Sequence, residues 1–437
     1  MNSSLTSRDL IGLGFMTFAL FLGAGNIIFP PQVGQLAGFN LWWAALGFLL
    51  TGVGLPLLTV VALAKVGGGM RALTSPIGKI AGLILGIAVY LTIGPLFATP
   101  RTATVSFEIG FVPIVGNSSL GLAIYSIVFF SIVMLISLYP GRLLNTVGKM
   151  ITPVLILGLI ALALAAIFWP AGLLEAPKGL YAEQSFAQGF TQGYQTMDAL
   201  GALVFGVVIV NAIKARQITD KALITRYAIL AGIIAAVCLA LVYLSLIWLG
   251  ASSGVLAPNA TTGAPILNAF VNDAFGALGN VLLALVIILA CVTTAIGLVS
   301  ACGMYFSSML PVSYRTVTII ISLLCMLVAN LGLEQLISIA EPVLLTIYPI
   351  AIVLVLLSLA MPFWNKASRI FVPTLAVATI FGLIDAARAL GYASWIPEKI
   401  NSLPGANLGL SWIVPVLVVL AVVIIWDRSQ KSSVVNV

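Results

Sequence analysis

The residues of this sequence that could do chemistry are a few polar or conformationally unusual residues inside long apolar runs. The first run contains Gly23–Asn26, followed by Pro30-Pro31. A continuous helix is costly here, because each glycine costs about 1 kcal/mol and each proline about 3 kcal/mol relative to alanine. In lipid, a helix break persists where it lines a cavity or binds a ligand. We therefore predict a binding break at Gly23–Pro31, with a proline kink or a close glycine contact as the simpler alternative.

A second polar and glycine-punctuated stretch, Gly193–Asp198, lies in the sixth apolar run. An inverted repeat places a second break five helices after the first. Half-helices that meet at such breaks direct N-terminal N–H groups at an anion and unwound carbonyl groups at a cation. An amino acid zwitterion carries both charges. The two stretches together therefore predict an amino acid site.

Adjacent hydroxyl groups at Thr293 and Thr294 lie deep in the eighth apolar run. Each could donate back to the carbonyl group four residues earlier, as threonine does within helices. Alternatively, both oxygens could join backbone carbonyl groups around a dehydrated Na⁺, a hard cation that takes oxygen ligands. The residues alone leave both interpretations open.

Two carboxylates, Asp198 and Glu108, are candidate coupling groups. Asp198 is either a functional intramembrane carboxylate or an interfacial residue that caps a helix. Glu108 follows Arg101 by seven residues, which places both on one helical face and predicts a structural ion pair between them.

The sequence argues against an enzyme and against a bound cofactor. It contains no histidine, and carboxylates alone are a poor ligand set for zinc or haem. The glycine run at 67–69 lacks the Lys-Ser/Thr that follows in a phosphate-binding loop. No catalytic cluster is evident, and no ring of charged side chains predicts a channel. We expect no cofactor, and Na⁺ only as a coupling ion.

The elements that must position these residues are membrane helices. Of the 437 residues, 61% are hydrophobic and 7% are charged, against about 25% charged residues in soluble proteins. One bilayer crossing needs about 20 apolar residues. The hydropathy predicts a single transmembrane domain over 1–437 with about twelve helices, at 10–37, 41–65, 78–100, 119–138, 147–169, 187–213, 223–250, 273–302, 316–332, 338–360, 369–391 and 407–426.

The basic residues predict the orientation of these helices. With the N-terminus in the cytoplasm, 15 of the 19 Lys and Arg residues fall on the inner side, and the outer side or its vicinity receives Arg101, Lys178, Arg388 and Lys399. Positive charge is typical of cytoplasmic loops, so both termini are predicted to be cytoplasmic. This asymmetry explains the net charge of +7. The lipid bilayer is the expected partner, with no nucleic acid and no obligate protein partner.

The runs Phe21–Pro31 (FLGAGNIIFPP) and Gly193–Leu200 (GYQTMDAL) resemble those of the bacterial branched-chain amino acid carriers of the LIVCS family. The likeness covers nearly the whole chain. That family belongs with the amino acid–polyamine–organocation superfamily, so the resemblance implies an all-α polytopic protein of the bacterial inner membrane with the leucine-transporter fold. It also implies a five-plus-five inverted repeat (about 10–170 and 187–360), discontinuous helices 1 and 6, and two extra helices at about 369–426.

The resemblance further implies roles for individual residues. The turn at 23–25 offers N–H groups to the substrate carboxylate, carbonyl groups near 21 and 195–197 receive its ammonium group, and Asn26 orients the broken helix or contacts a second ion. The implied substrate residues are Phe21, Gly23, Ala24, Gly25, Asn26, Gln195, Thr196 and Met197. The implied Na⁺ residues are Ala19, Leu22, Ala290, Thr293 and Thr294.

The resemblance implies cation-coupled transport of leucine, isoleucine and valine, and our hypothesis is Na⁺-coupled import of these amino acids by alternating access. We expect an apolar pocket, because no spare charge is evident to pair with a Lys, Arg or Glu substrate. Discrimination among the three substrates should be weak, since one methylene is worth about 1–3 kcal/mol. A H⁺-driven symporter that uses Asp198 or Glu108 is the alternative mechanism, and a channel is the alternative class.

Overall fold

The computed structural model describes residues 5–67, 69–139 and 155–432, and all regular structure within these ranges is helical. The prediction of an all-α polytopic protein is thereby confirmed. The helices in chain order are α1 Ser7–Phe21, α2 Gly25–Ala37, α3 Leu41–Leu49, α4 Leu55–Val66, α5 Met70–Leu73, α6 Lys79–Leu91, α7 Ala98–Gly110, α8 Val112–Val115, α9 Ser119–Ser137, α10 Leu155–Phe168, α11 Tyr181–Gln192, α12 Asp198–Lys214, α13 Lys221–Ser252, α14 Gly263–Ser307, α15 Tyr314–Ala329, α16 Leu333–Leu359, α17 Ala367–Ala389, α18 Glu398–Asn401 and α19 Ile413–Ser432.

The described ranges contain eight helical stretches that are long and apolar enough to cross a membrane. The bent pair Tyr181–Thr196 and Asp198–Lys214 adds a ninth. Two shorter apolar helices, α10 and α15, lie at the predicted fifth and ninth spans. The start of the predicted fifth span, at 147–154, lies outside the described residues.

Two of the predicted spans are discontinuous, as expected for helices 1 and 6 of the leucine-transporter fold. The first consists of α1 and α2, joined by the non-helical residues 22–24. The sixth consists of α11 and α12, joined by a 3-10 turn at Gly193–Thr196 and by Met197, and its two halves are bent by 42°. The residue bounds of the two repeats stay a prediction.

The third span is longer than its sequence predicts. Helix α6 passes through a π-helical turn at Thr92–Leu96 and continues as α7 to Gly110. Gly94 departs from helical geometry there, and Pro95 follows it. The predicted end at residue 100 is therefore wrong, because the glycine and proline bend this span without ending it. As a result, residues 101–107 are buried inside the bundle.

Close contact between α2 and α13 fixes the position of the broken first helix. A Cβ atom at Gly34 would overlap the Ile247 carbonyl group, and one at Gly250 would overlap the Pro31 carbonyl group. Only glycine permits backbones to approach so closely. This contact joins the second half of α2 to the last turns of α13, and the candidate site lies beside it, where Asn26 meets Tyr243.

Candidate substrate and ion site

The break in the first span is stabilised by the side chain of Asn26. Helix α1 ends at Phe21, and the Gly23 N–H group donates to Asn26 Oδ1 at 2.8 Å. The N–H groups of Ala24 and Gly25 have no acceptor among the described residues. Such free N–H groups give the start of a helix a partial positive charge. Pro30 and Pro31 lie within α2 rather than in the break.

The break in the sixth span is a tight turn with one strained residue. Met197 has φ of +61°, a left-handed conformation that is unfavourable by about 1–2 kcal/mol for a residue with a side chain. Its N–H group donates to the Tyr194 carbonyl at 3.0 Å, and α12 begins at the next residue. Backbone strain of this kind persists where surrounding packing enforces it, and it clusters at binding sites.

A buried hydrogen-bonded group ties the two breaks together. Asn26 Nδ2 donates to Asp198 Oδ2 at 2.7 Å. The Tyr243 hydroxyl, from α13, also donates to Asp198 Oδ2 and contacts Asn26 Nδ2. All three side chains are buried. Asp198 is thus neither interfacial nor exposed, and Asn26 orients the first break. Sequence reasoning missed Tyr243, because no spacing along the chain relates it to Asn26.

Arg101 is the second residue that sequence reasoning missed. It lies in α7 with only 2% of its surface exposed, and its Nη1 donates to the Gln195 carbonyl at 2.6 Å. Its guanidinium carbon lies 5.2 Å from the centre of the Phe29 ring. Arg101 is therefore buried inside the helix bundle and is not in an exposed loop, and its position near the outer face stays a prediction. The predicted ion pair with Glu108 is wrong, since no ion pair among the described residues includes Arg101.

The two threonines of α14 have different environments. The Thr294 hydroxyl donates across to the Leu22 carbonyl, at the end of the first half-helix, at 3.1 Å. The Thr293 hydroxyl donates back to the Leu289 carbonyl at 2.7 Å, which is the alternative that its helical position allows. The structure therefore brings Thr294 to the break and directs Thr293 along its own helix.

Both breaks line one cavity. Its polar lining includes Asp198, Arg101 and Thr294, and its apolar lining includes Leu20, Ile93, Phe205 and Leu298. The predicted residues that line this cavity are Phe21, Gly23, Ala24, Gly25, Asn26, Thr196, Met197, Asp198 and Thr294. The expectation of a pocket without a spare charge is wrong, because Arg101 supplies one.

The remaining predicted residues do not line this cavity. Gln195 instead lines a second cavity, together with Asp385 and Arg388. Glu108 is partly exposed, and its backbone carbonyl accepts from Asn268 Nδ2 at 3.3 Å. The predicted Na⁺ residues other than Thr294 are also absent from the lining of the first cavity: Ala19, Leu22, Ala290 and Thr293.

The sequence matches a known family over almost its full length. The family described as "Branched-chain amino acid transport protein" matches residues 6–430. The chain is 56% identical over 424 residues to a branched-chain amino acid transport system 2 carrier protein of Pseudomonas aeruginosa, with 97% of each chain covered. It is 51% identical to the branched-chain amino acid permease BrnQ of Escherichia coli K12, over 100% of this chain and 99% of that protein.

Solved structures share the fold at low sequence identity. The nucleobase–cation symporter Mhp1, in a closed conformation, aligns with a TM-score of 0.60 and 13% identity over 98% of this chain and 95% of that chain. A manganese transporter of Eremococcus coleocola aligns with a TM-score of 0.58 and 14% identity over 96% of this chain and 94% of that chain. These likenesses concern the fold alone.

Proposed function

The chain belongs to the family of branched-chain amino acid transport proteins, and we propose that it imports leucine, isoleucine and valine together with Na⁺ by alternating access. The observation that carries this proposal is the convergence of two broken helices on one cavity. Broken helices present backbone groups of both polarities at mid-membrane depth without placing additional charged side chains there.

The ends of the two half-helices suit the two charges of an amino acid. The free N–H groups of Ala24 and Gly25 suit a carboxylate, while the carbonyl groups at the end of α1, such as that of Phe21, suit an ammonium group. The Gln195 carbonyl, predicted to receive the ammonium group, already accepts from Arg101. The Met197 carbonyl likewise already accepts from the Gly201 N–H group at 2.8 Å, so the Thr196 carbonyl is the acceptor that remains of these three.

The apolar part of the cavity suits an aliphatic side chain. Leu20, Ile93 and Leu298 line it, and Phe205 meets Phe21 edge to face with ring centres 6.5 Å apart. A branched chain of three or four carbons buries its surface against this wall, at about 0.8 kcal/mol for each buried methylene. A polar substrate side chain would lose hydrogen bonds to water without replacement.

The contact between Thr294 and Leu22 supports Na⁺ as the coupling ion. A hydroxyl oxygen and a carbonyl oxygen meet at 3.1 Å where α1 ends, and the carbonyl end of a helix favours a cation. The carbonyl groups of Ala19 and Ala290 would complete the oxygen ligands in this proposal. A Na⁺ bound there would connect α14 to the broken helix.

A proton is the second candidate for the coupling ion, and the burial of Asp198 favours it. A buried carboxylate between Asn26 and Tyr243 is a typical element of proton relays in transporters. Thr294 of the first candidate and Asp198 of the second line the same cavity. Transport measurements must therefore distinguish the two ions.

Uptake of labelled leucine into proteoliposomes tests the proposal. An inward Na⁺ gradient at equal pH on both sides should drive accumulation above equilibrium, with valine and isoleucine as competitors. An inward proton gradient in Na⁺-free buffer should not drive it. Accumulation that follows the pH gradient and ignores Na⁺ would reject Na⁺ coupling. Leucine flux that never exceeds equilibrium under either gradient would favour a channel.

A further inference from the structure

Arg101 carries a buried positive charge that the protein does not neutralise. Its Nη1 has one partner, the Gln195 carbonyl, whereas Nε and Nη2 are buried without any hydrogen-bond partner in the described structure. A guanidinium group has five N–H donors and stays charged. An unpaired charge in a low-dielectric interior is strongly unfavourable. The side chain therefore requires an anionic or acceptor group from elsewhere.

Arg101 lines the cavity together with Ala24 and Gly25 at the start of α2. The Gln195 carbonyl oxygen that Arg101 binds lies 3.3 Å from the position of a Cβ atom at Gly25. The guanidinium group thus lies next to the free N–H groups that begin α2. Both features attract negative charge.

Asp198 does not supply the missing anion. It lines the same cavity, but it forms no ion pair with Arg101. Its Oδ2 already accepts from Asn26 and Tyr243. Phe29 contacts the guanidinium group through its ring and offers no anion.

From these contacts we propose that Arg101 binds the carboxylate of the transported amino acid, jointly with the N–H groups of Ala24 and Gly25. This inference rests on the proposed amino acid site and assigns its carboxylate end to a side chain of the third span. Arg101 is then a specificity-determining residue, because it makes the site select for the negative charge of the α-carboxylate. A purely structural Arg101, which only holds the Gln195 carbonyl, is the competing explanation.

Two ligands separate these explanations: L-leucine, and L-leucinamide, which keeps the side chain and ammonium group but lacks the negative charge. Binding to the purified full-length protein gives a dissociation constant for each. Arg101→Met should weaken leucine binding by about 30-fold or more, whereas leucinamide binding should change less than about 3-fold. Arg101→Lys keeps a charge but loses the planar fork, so it should weaken leucine about 10-fold and spare leucinamide. The matched control is Arg315→Met, which removes an exposed charge and should change neither constant.

Equal weakening of both ligands in Arg101→Lys or Arg101→Met would overturn the proposal and establish the structural role. If Arg101→Met does not yield folded protein, the Arg101→Lys comparison decides alone. Unchanged leucine affinity in either variant would also overturn it. Failure of the proposed function looks different, since the wild-type protein would then bind neither leucine nor leucinamide.

Discussion

Removal of the Thr294 hydroxyl is the sharpest test of the ion site. Thr294→Val keeps the volume and branching of the side chain and deletes the oxygen that lies 3.1 Å from the Leu22 carbonyl. A hydrogen bond between neutral groups contributes about 0.5–1.5 kcal/mol to stability. An interaction with a charged partner contributes about 1.5–3 kcal/mol. Loss of the Thr294 hydroxyl should therefore cost more free energy if it binds Na⁺ than if it only donates to Leu22. The first loss would weaken Na⁺ binding, and the second would lower the stability of the fold.

If Thr294 binds Na⁺, its loss should raise the half-saturating Na⁺ concentration for leucine uptake. At 1.4 kcal/mol for each tenfold change, the expected increase is about 10- to 150-fold, with little change in the thermal unfolding midpoint. Thr294→Ser keeps the oxygen and should stay close to wild type. If the hydroxyl only bonds to Leu22, the unfolding midpoint should fall and the Na⁺ dependence should stay unchanged.

The assay is the initial rate of leucine uptake as a function of Na⁺ concentration, together with thermal unfolding of the same preparations. Thr374→Val is the matched control, because the Thr374 hydroxyl is equally buried and donates to the Ile370 carbonyl at 2.6 Å within α17, away from the cavity. An unchanged half-saturating Na⁺ concentration in Thr294→Val would refute the assignment of Thr294 as a ligand.

Three further predictions concern the two breaks. Gly25→Leu should abolish leucine binding, since a Cβ atom there already lies 3.2 Å from Thr196 Cα. The control is Gly12→Leu, at an open position of α1. Retained leucine binding in Gly25→Leu would identify the break as a kink. Asp198→Asn should keep Na⁺-driven accumulation of leucine, because an amide oxygen still accepts from Asn26 and Tyr243. If this variant exchanges leucine but no longer accumulates it, Asp198 carries the coupling proton. Tyr243→Phe should destabilise the protein by about 1.5–3 kcal/mol in thermal unfolding, and an unchanged midpoint would show that the hydroxyl contributes nothing.

The two breaks were predictable because they depend on residue type. Glycine and proline disfavour helix wherever they occur, so Gly23–Asn26 and Gly193–Asp198 stand out in apolar runs. The part played by Pro30-Pro31 is less direct. Both lie inside α2, where their missing N–H groups leave the carbonyl groups of Asn26 and Ile27 without helical donors. The prolines thus loosen the first turns of α2, and the chain breaks at the glycines before them.

The depth of Arg101 could not be predicted from hydropathy. A lone arginine one residue beyond a predicted span is typical of a loop, and the third span was expected to end at residue 100. The π-helical turn at Thr92–Leu96 carries the chain onward into α7. Such turns are frequent at functional sites, and the Gly94-Pro95 pair is the signal that could have indicated one.

Tyr243 shows why pairing between distant helices escapes sequence reasoning. It lies 217 residues after Asn26, and its helix carries no charge near it to mark a site. What brings it to Asp198 is the close approach of α2 and α13 at Gly34 and Gly250. That contact depends on Gly34 and Gly250, and the number of residues between them in the chain does not indicate that they meet.

The hydrogen bonds of the site also indicate which helices move together. The first, sixth and seventh spans are connected by the buried hydrogen bonds among Asn26, Asp198 and Tyr243. Separation of these spans would expose the Asp198 carboxylate to lipid or leave it without hydrogen-bond donors. Either outcome is strongly unfavourable. By contrast, Arg101 and Thr294 reach the broken helices through one hydrogen bond each. In the proposed mechanism, those two weak connections are the places where the substrate carboxylate and Na⁺ bind. Each ligand would then strengthen a contact between the moving spans and the third or eighth span, and occupancy of both sites would favour the closed cavity from which transport proceeds.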